Sequence, residues 1–292
     1  MAVIGKVESL WRYPVKSMRG EELGQAFVGF AGVYGDRLFA FRSSERPKGF
    51  PYVMGREQMK MLLYRPRFRH PDRGRDAAQP GRAEDIAPGL NPVSAEPADL
   101  AVEVETPSGE VLPVDNPALL RKLSEGLGEG ERLTLLRSDC AMTDCRPVSL
   151  FSIQTARRLG EELGMDIDKR RFRANIFADL PSTGGFAEDG YVGRTLRIGS
   201  KTVLSILERD PRCAMISLDP DTAERDPAIL GKVTKAHEGK AGVYGAVLVE
   251  GGGADRGRYR SAELGWCGSV RSRAPLCRTR PRQEPAPQSR AT

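Results

Sequence analysis

The sequence has few of the residues that build structural zinc sites or disulfide frameworks. It contains two histidines, His70 and His237, which lie far apart, and its cysteines form no C-x-x-C pair. The five cysteines are Cys140, Cys145, Cys213, Cys267 and Cys277. A structural zinc site needs four close ligands, and disulfide frameworks belong mainly to small secreted chains. The composition therefore argues against both, and a chain of 292 residues can fold around an apolar core without them.

Long hydrophobic runs and a secretory leader are also missing. No apolar run approaches the roughly 20 residues that a membrane-spanning helix needs. Residues 1–6 show no charged segment followed by an apolar one, which is the pattern of a signal peptide. We therefore expect a cytoplasmic protein that has no membrane partner.

Excess basic charge is absent from most of the chain, although the formal net charge is +6. Residues 253–292 hold nine arginines, no lysine and three acidic residues, which accounts for the whole excess. A folded nucleic-acid-binding protein is expected to carry its basic patch on the surface of the domain. We therefore expect no nucleic-acid partner.

Length and local composition suggest two domains and a tail. We place the domains at residues 1–138 and 139–252, in keeping with the length of the chain. Residues 66–97 are rich in proline, arginine and glycine and are predicted to form an exposed loop or insert. Residues 253–292 show no apolar period and are predicted to form a disordered tail. A frameshift near Gly252 is the alternative, because lysine vanishes there while arginine increases.

The hydrophobic periodicity predicts a mainly β, α+β fold with a few short helices. Alternating or short apolar runs typical of strands occur at residues 3–10, 25–30, 38–41, 100–105, 110–114, 133–136, 195–198, 202–207 and 243–249. Helices are predicted to begin after the capping residues Asn116, Ser152 and Asp226. His237 lies in a polar stretch and is predicted to be solvated.

One stretch holds a cysteine in a setting that favours reactivity. Cys213 follows Arg212 shortly after the predicted strand 202–207. A thiol beside a guanidinium group loses its proton more easily, and the thiolate is the form that attacks substrates or binds metals. The alternative is a small buried apolar side chain, which is the commoner role of a lone cysteine beside a strand.

Polar and basic residues in predicted loops and strands are candidates for binding an anion. Lys16 and Ser17 follow the first predicted strand, and Arg37 lies in a glycine-rich turn. Arg173 and Asn175 are two positions apart, so in a strand they would share one face and could bind an anion and an amide group. Each residue also has an ordinary interpretation as solvated surface, since loops are polar by default.

Four motifs, found in order along the chain, carry a resemblance to a known family. They are Tyr13-Pro14-Val15-Lys16-Ser17, Gly35-Asp36-Arg37, Phe172-Arg173-Ala174-Asn175-Ile176, and Arg212-Cys213 followed by Asp219-Pro220-Asp221-Thr222. Together they resemble the MOSC family, whose members are related to the C-terminal domain of molybdenum cofactor sulfurase. With its N-terminal part included, the chain is similar to the two-part proteins of the mitochondrial amidoxime reducing component type and their bacterial relatives.

The resemblance implies a fold of two β-barrel-like domains, of which the second is a MOSC domain. It also implies a molybdenum-pterin cofactor, with Cys213 as the catalytic residue and the thiolate ligand of the metal. The cofactor-binding residues implied by the match are Lys16, Ser17, Arg37, Arg173 and Asn175, with Arg56 as a looser match. The family is also associated with pyridoxal phosphate binding.

The implied activity is the reduction of N-hydroxylated small molecules by oxygen-atom transfer. Electrons would come from a separate partner protein of the flavin, ferredoxin or cytochrome type. Two alternatives stay open: a sulfur carrier with a persulfide on Cys213, acting in molybdenum cofactor metabolism, and a non-catalytic anion-binding module.

The chain departs from the family pattern at two places. Ala174 stands where the family usually has proline. After Gly251 the sequence lacks the Gly-Asp of the expected final strand, so we expect the last strand of the barrel to be absent or altered.

Overall fold

The computed structural model of the protein describes residues 3–47, 49–71, 98–128, 130–251 and 263–266. The strands are β1 (Val3–Arg12), β2 (Glu21–Leu23), β3 (Val28–Gly29), β4 (Gly32–Val33), β5 (Phe39–Ser43), β6 (Arg65–Phe68), β7 (Val102–Glu105), β8 (Val111–Pro113), β9 (Leu133–Arg137), β10 (Val148–Ser152), β11 (Ile176–Asp179), β12 (Thr195–Ile198), β13 (Thr202–Pro211), β14 (Lys240–Val249) and β15 (Glu263–Trp266). The α-helices are α1 (Pro117–Ser124), α2 (Ile153–Leu163) and α3 (Pro227–Ala236), and short 3-10 helices cover Met59–Leu63, Lys169–Phe172, Ala187–Tyr191 and Ala214–Ser217.

Strands from both ends of the described chain form one closed barrel. Their order is β1, β11, β10, β14, β13, β12 and β15, and β15 pairs back onto β1. All of these pairings are antiparallel except β10 with β11, which is parallel. The ring encloses buried apolar side chains such as Val7, Leu150, Leu204 and Val243. Closure gives each strand of the ring two neighbours, and β2 also pairs with the end of β1 from Leu10 to Arg12.

The barrel closes tightly at Gly5. A side-chain carbon at this position would lie 2.6 Å from the carbonyl oxygen of Asp179, so a residue larger than glycine would push β11 away. The pairing register also shifts on both edges of β1, between Val3 and Gly5 and between Val7 and Ser9. Such bulges add local bend and twist, which lets one strand serve both neighbours.

The first half of the chain builds three small sheets around a second core. These sheets are β3 with β4, β5 with β9, and β6 with β7 and β8. Helix α1 places Leu119 and Leu123 on this core, where they are 0% and 2% exposed. The hairpin of β7 and β8 and the cap of α1 by the side chain of Asn116 confirm the sequence prediction.

Helices α2 and α3 pack on the outside of the barrel over a third core. Ser152 caps α2, Gly164 ends it in the left-handed conformation, and Asp226 caps α3, all as predicted. The rings of Phe151 and Phe172 stack at 4.0 Å beneath the helices. Within the described residues, no helix is long and apolar enough to cross a membrane.

The mainly β fold class is confirmed, and the predicted division at residues 138 and 139 stays a prediction. Strand β1 belongs to the barrel that is otherwise built from residues 148–266. The strand predicted at 25–30 is shorter than expected, because only Val28–Gly29 forms β3. The loop predicted from residue 66 was wrong at its start, because Pro66, Arg67 and Phe68 pair with β7.

The prediction for the tail was wrong in one segment. Residues 263–266 form β15, which pairs with β1 and with β12 and buries Leu264 completely. The final strand is therefore present, although its sequence differs from the expected pattern. The remainder of the predicted tail, like most of the predicted insert, lies outside the described residues.

His237 was also predicted wrongly. Its ring stacks on Phe186 at 3.9 Å, and its Nε2 lies 2.9 Å from a carboxylate oxygen of Glu162. It therefore connects the end of α3 to α2 and is not a solvated side chain.

Candidate functional site

A cleft lies between the barrel and the first half of the chain. Its inner volume is about 80 Å³, and about 660 Å³ when the space at its open mouth is included, so the cleft is open to solvent. The first half contributes Lys16, Ser17, Arg37 and Met54 to its lining. The remaining lining residues come from 143 onward and lie on the barrel or beside it.

Lys16 and Ser17 reach the cleft because the chain turns directly after β1. Val15 bridges to Phe39, and the next residues leave the strand direction. The Lys16 Nζ donates to the Met142 carbonyl at 2.7 Å and to Asp144 at 2.5 Å. Burial lowers the pKa of Lys16, and the charge of Asp144 opposes that shift. The structure thus places a buried cation with a carboxylate neighbour in the cleft.

Two guanidinium groups lie over the buried ring of Tyr13. The central carbon of Arg37 is 4.7 Å from the ring centre, and that of Arg173 is 4.3 Å from it. Arg37 donates to Asp36 and to the Arg173 carbonyl, and Asp36 holds the pKa of Arg37 above its usual value although burial alone would lower it. Burial and the charge of Arg37 lower the pKa of Arg173 to about 10. Of the two arginines, Arg173 therefore has its positive charge less offset by neighbouring negative charge than Arg37.

A third guanidinium group, that of Arg212, is fixed from three directions. It donates to the carbonyls of Ala241 at 2.6 Å and Phe172 at 2.8 Å, and it pairs with Asp210 at 2.9 Å. Burial raises the pKa of Asp210 to about 6, against the opposing effect of Arg212. Tyr244 hydrogen-bonds to Asp210, and its pKa is raised by burial and by that carboxylate.

Cys213 lines the cleft at the start of a 3-10 helix and is half-buried. The arginine that contacts its thiol is Arg56, and not the adjacent Arg212, whose donors point to carbonyl groups and to Asp210. Burial would lower the pKa of Arg56, but hydrogen bonds and charge from Glu57 and Cys213 raise it. Arg56 does not line the cleft itself, and it lies beside the exposed side of the thiol.

Asn175 lines the cleft and also joins two neighbouring segments of the barrel by hydrogen bonds. Its side-chain oxygen accepts from the Ser149 N–H at 3.2 Å and hydroxyl at 3.3 Å, and its amide nitrogen donates to the Trp11 carbonyl at 3.3 Å. Arg173 and Asn175 were predicted to share a strand face, and this was wrong, because Arg173 ends a 3-10 helix and β11 begins at Ile176. Both residues nevertheless line the same cleft, because they lie in the turn between the 3-10 helix and β11.

The backbone of the cleft is strained at the residues that face it. Three of the non-glycine residues with positive φ line it: Ser17 at 68°, Arg37 at 45° and Arg173 at 51°. Each such conformation costs about 1–3 kcal/mol, and such strain is found preferentially at binding sites.

Three shielded donors on residues that line the cleft have no hydrogen-bond partner among the described residues. They are the Nη2 atoms of Arg173 and Arg212 and the Nε atom of Arg171. An unsatisfied buried donor is costly, and a bound acceptor removes that cost. The residues present therefore fit an anionic group that accepts from guanidinium groups beside an accessible thiol.

Six of the seven residues predicted for the site line one cleft, and Arg56 reaches it through Cys213. Sequence reasoning missed Asp144, Asp210 and Tyr244. Asp210 lies three positions before Cys213, so proximity could have suggested it. No local signal marks Asp144 or Tyr244, because they meet the cleft only through the pairing of distant segments.

Two family models match the chain. The MOSC domain matches residues 137–253, and the MOSC N-terminal beta barrel domain matches residues 4–77. No curated protein matches it.

Several solved structures are distantly similar. The YuaD protein from Bacillus subtilis is 12% identical, with 89% of this chain and 93% of that protein covered and a TM-score of 0.42. YiiM from Geobacillus stearothermophilus is 18% identical, with 42% and 55% covered and a TM-score of 0.31. YiiM from Escherichia coli is 16% identical, with 43% and 56% covered and a TM-score of 0.29. The two family models together match well over half of the chain, and the protein belongs to the MOSC family.

Proposed function

We propose that this protein is an oxidoreductase that binds a molybdenum-pterin cofactor and reduces N-hydroxylated small molecules. The observation that carries this proposal is the composition of the cleft. It combines the half-buried thiol of Cys213 with shielded guanidinium donors on Arg173 and Arg212 that have no partner among the described residues. Soft thiolate ligands suit molybdenum, and arginine and lysine suit the phosphate of the pterin.

Each cleft residue has a role that its contacts support. Cys213 would provide the sulfur ligand, and Arg56, whose charge interacts with that thiol, would bind the anionic cofactor beside it. Lys16, Arg37 and Arg173 would hold the anionic part of the cofactor. Among the described residues the Ser17 hydroxyl contacts only the Met54 sulfur, at 3.7 Å, so it is available to a ligand. Asn175 would offer its second amide hydrogen.

When bound, the cofactor supplies two-electron oxygen-atom transfer from an N–O bond. Release of that oxygen as water requires protons, and the cleft contains a group suited to holding one. Asp210 is buried in the lining, and its pKa, raised to about 6, lets its carboxyl oxygen take up or release a proton near neutral pH. Tyr244 and Arg212 keep that carboxyl group in place.

The proposal includes a separate electron donor and a reducing compartment. Among the described residues, no group of three or more His, Cys, Asp or Glu side chains could hold a metal ion, so this part of the chain offers no iron–sulfur relay. Cys140, Cys145 and Cys213 are free thiols, a state that the cytoplasm maintains.

Metal analysis of the purified chain tests the proposal. We expect about one molybdenum per chain in the parent protein, its loss in Cys213→Ala, and its retention in Cys140→Ala, which removes an exposed thiol. The parent protein should also oxidise reduced methyl viologen in the presence of hydroxylamine, and Cys213→Ala should not.

Other outcomes would favour the alternative functions. A persulfide on Cys213 in protein without molybdenum would indicate a sulfur carrier of molybdenum cofactor metabolism. Phosphate binding with neither molybdenum nor persulfide would indicate a non-catalytic anion-binding module. Either result contradicts the proposed reductase.

A further inference from the structure

A second cavity lies beside the cleft and shares a wall with it. Arg171, Arg173 and Met215 line both spaces. The second cavity has a volume of about 230 Å³, near the lower end of the range for small-molecule sites and enough for a ligand of one or two rings. Most of its lining residues do not line the cleft, so it is a distinct space next to the proposed cofactor.

Much of this second cavity is apolar and flat-walled. The rings of Trp11 and Tyr13 line it together with the aliphatic side chains of Leu62 and Leu218. A side-chain carbon at Gly20 would lie 2.4 Å from the Tyr13 ring, so glycine at this position lets the ring lie against the backbone. Aromatic and aliphatic walls of this kind favour a planar apolar ligand.

The cavity also carries a surplus of positive charge. Its cationic residues are Arg19, Arg170, Arg171 and Arg173. Their carboxylate partners are Asp168, Asp219 and Asp221. Arg19 and Arg170 share one of these carboxylates, and Arg173 pairs with none of the described residues. The four arginines therefore outnumber their carboxylate partners by one, and the arginine without a carboxylate, Arg173, also lines the cleft.

Three donors on the residues that line this cavity have no partner among the described residues. They are the Nε atoms of Arg19 and Arg171 and the Nη2 atom of Arg173, and all three are shielded from solvent. Arg171 is only 9% exposed, and its two terminal nitrogens are already used by the Ser217 carbonyl and by Asp219. Buried donors of this kind are normally satisfied, so their presence beside an apolar wall points to an acceptor that completes the cavity.

We propose that the second cavity binds a small molecule that joins an aromatic or other flat apolar ring to a single anionic group such as a carboxylate. The ring packs against Trp11, the half-buried aromatic residue of the lining. The anionic group accepts from Arg19 and Arg171. The site does not use the thiol of Cys213 as a ligand and needs no metal.

Titration calorimetry with 2-naphthoate tests the proposal on the full chain. We expect saturable one-to-one binding, and binding weaker by about tenfold for the neutral analogue 2-naphthalenemethanol, since hydrogen bonds to charged groups are the stronger ones. Arg19→Gln should weaken naphthoate binding by about tenfold. The matched control, Arg121→Gln, removes an exposed arginine on α1 and should leave binding unchanged.

Fluorescence locates the bound probe. The chain has two tryptophans, so a Trp266→Phe background leaves Trp11 as the single reporter. Naphthoate should change the Trp11 emission, and circular dichroism should show that Arg19→Gln keeps the parent fold. Arg19→Gln, whose side chain does not line the cleft, should keep the molybdenum content of the parent protein, which separates this site from the proposed cofactor.

Three results would overturn the assignment. These are equal binding of the charged and neutral probes, equal loss in Arg19→Gln and Arg121→Gln, and calorimetric binding without any response from Trp11. A failure of molybdenum binding alone would contradict the proposed function and leave this cavity unaffected.

Discussion

The two halves of the molecule differ in how they are held together. The barrel is a closed ring of strands, three of which, β1, β13 and β14, run for ten residues each. The first half contains three small sheets whose strands are two to five residues long. Long ladders hold their backbone rigidly, whereas short strands leave more of the chain in turns.

The cleft lies where these two kinds of structure meet, and each supplies a different part of it. The end of barrel strand β13 carries Asp210 and leads directly to Cys213. The turns of the first half supply Ser17 and Arg37, both with positive φ. The barrel thus provides stability and holds the side chains of Asp210 and Cys213 in place. The turns carry backbone strain and direct hydrogen-bond donors into the cleft.

The largest effect should come from opening the barrel. Leu264 on β15 is completely buried, so Leu264→Ala should lower the free energy of unfolding by about 2–5 kcal/mol. Val249→Ala, at a position 40% exposed, should change it by less than about 0.5 kcal/mol. Urea denaturation measures both, and equal stability of the two variants would show that β15 does not close the barrel.

A smaller effect should come from the carboxyl group that the barrel buries at the cleft. The pKa of Asp210 rises from 3.8 to about 6 on folding, so the folded state binds its proton more tightly. Stability is therefore lost as the pH rises from about 4 to about 7, by about 2 kcal/mol relative to an Asp210→Asn variant. Denaturation curves across this range check the sign, and parallel pH profiles of the two proteins would contradict it.

The smallest effect should come from the strained turn. Ser17 has a φ of 68°, so Ser17→Gly should be about 1 kcal/mol more stable than Ser17→Ala, which also lacks the hydroxyl group but keeps the strain. Thermal unfolding measures the difference. If alanine and glycine proved equally stable at position 17, the turn would store no strain.

Local patterns predicted most strands and all three helix starts, because those depend on periodicity and capping within a few residues. They failed at β15, whose four residues lie in an arginine- and proline-rich tail and are too few to show a period. The contacts that make Glu263–Trp266 a strand come from β1 and β12.

The site shows the same contrast between features that local motifs predict and features that depend on contacts between distant segments. Motifs brought Lys16, Arg37, Arg173 and Cys213 into one hypothesis, and all four line the cleft. Their contacts could not be predicted in this way. The partner of Lys16 is Asp144, 128 positions away, and the arginine that contacts Cys213 is Arg56 and not its neighbour in sequence.

The pairing of residue 3 with residue 265 has a consequence for biosynthesis. Strand β1 leaves the ribosome before the other strands of the barrel, yet the part of its edge at residues 3–6 is not covered until β15 has been translated. Throughout that interval the N–H and C=O groups of this edge can pair with any other extended nascent chain. The order of translation thus makes the oldest strand of the barrel the last to be enclosed.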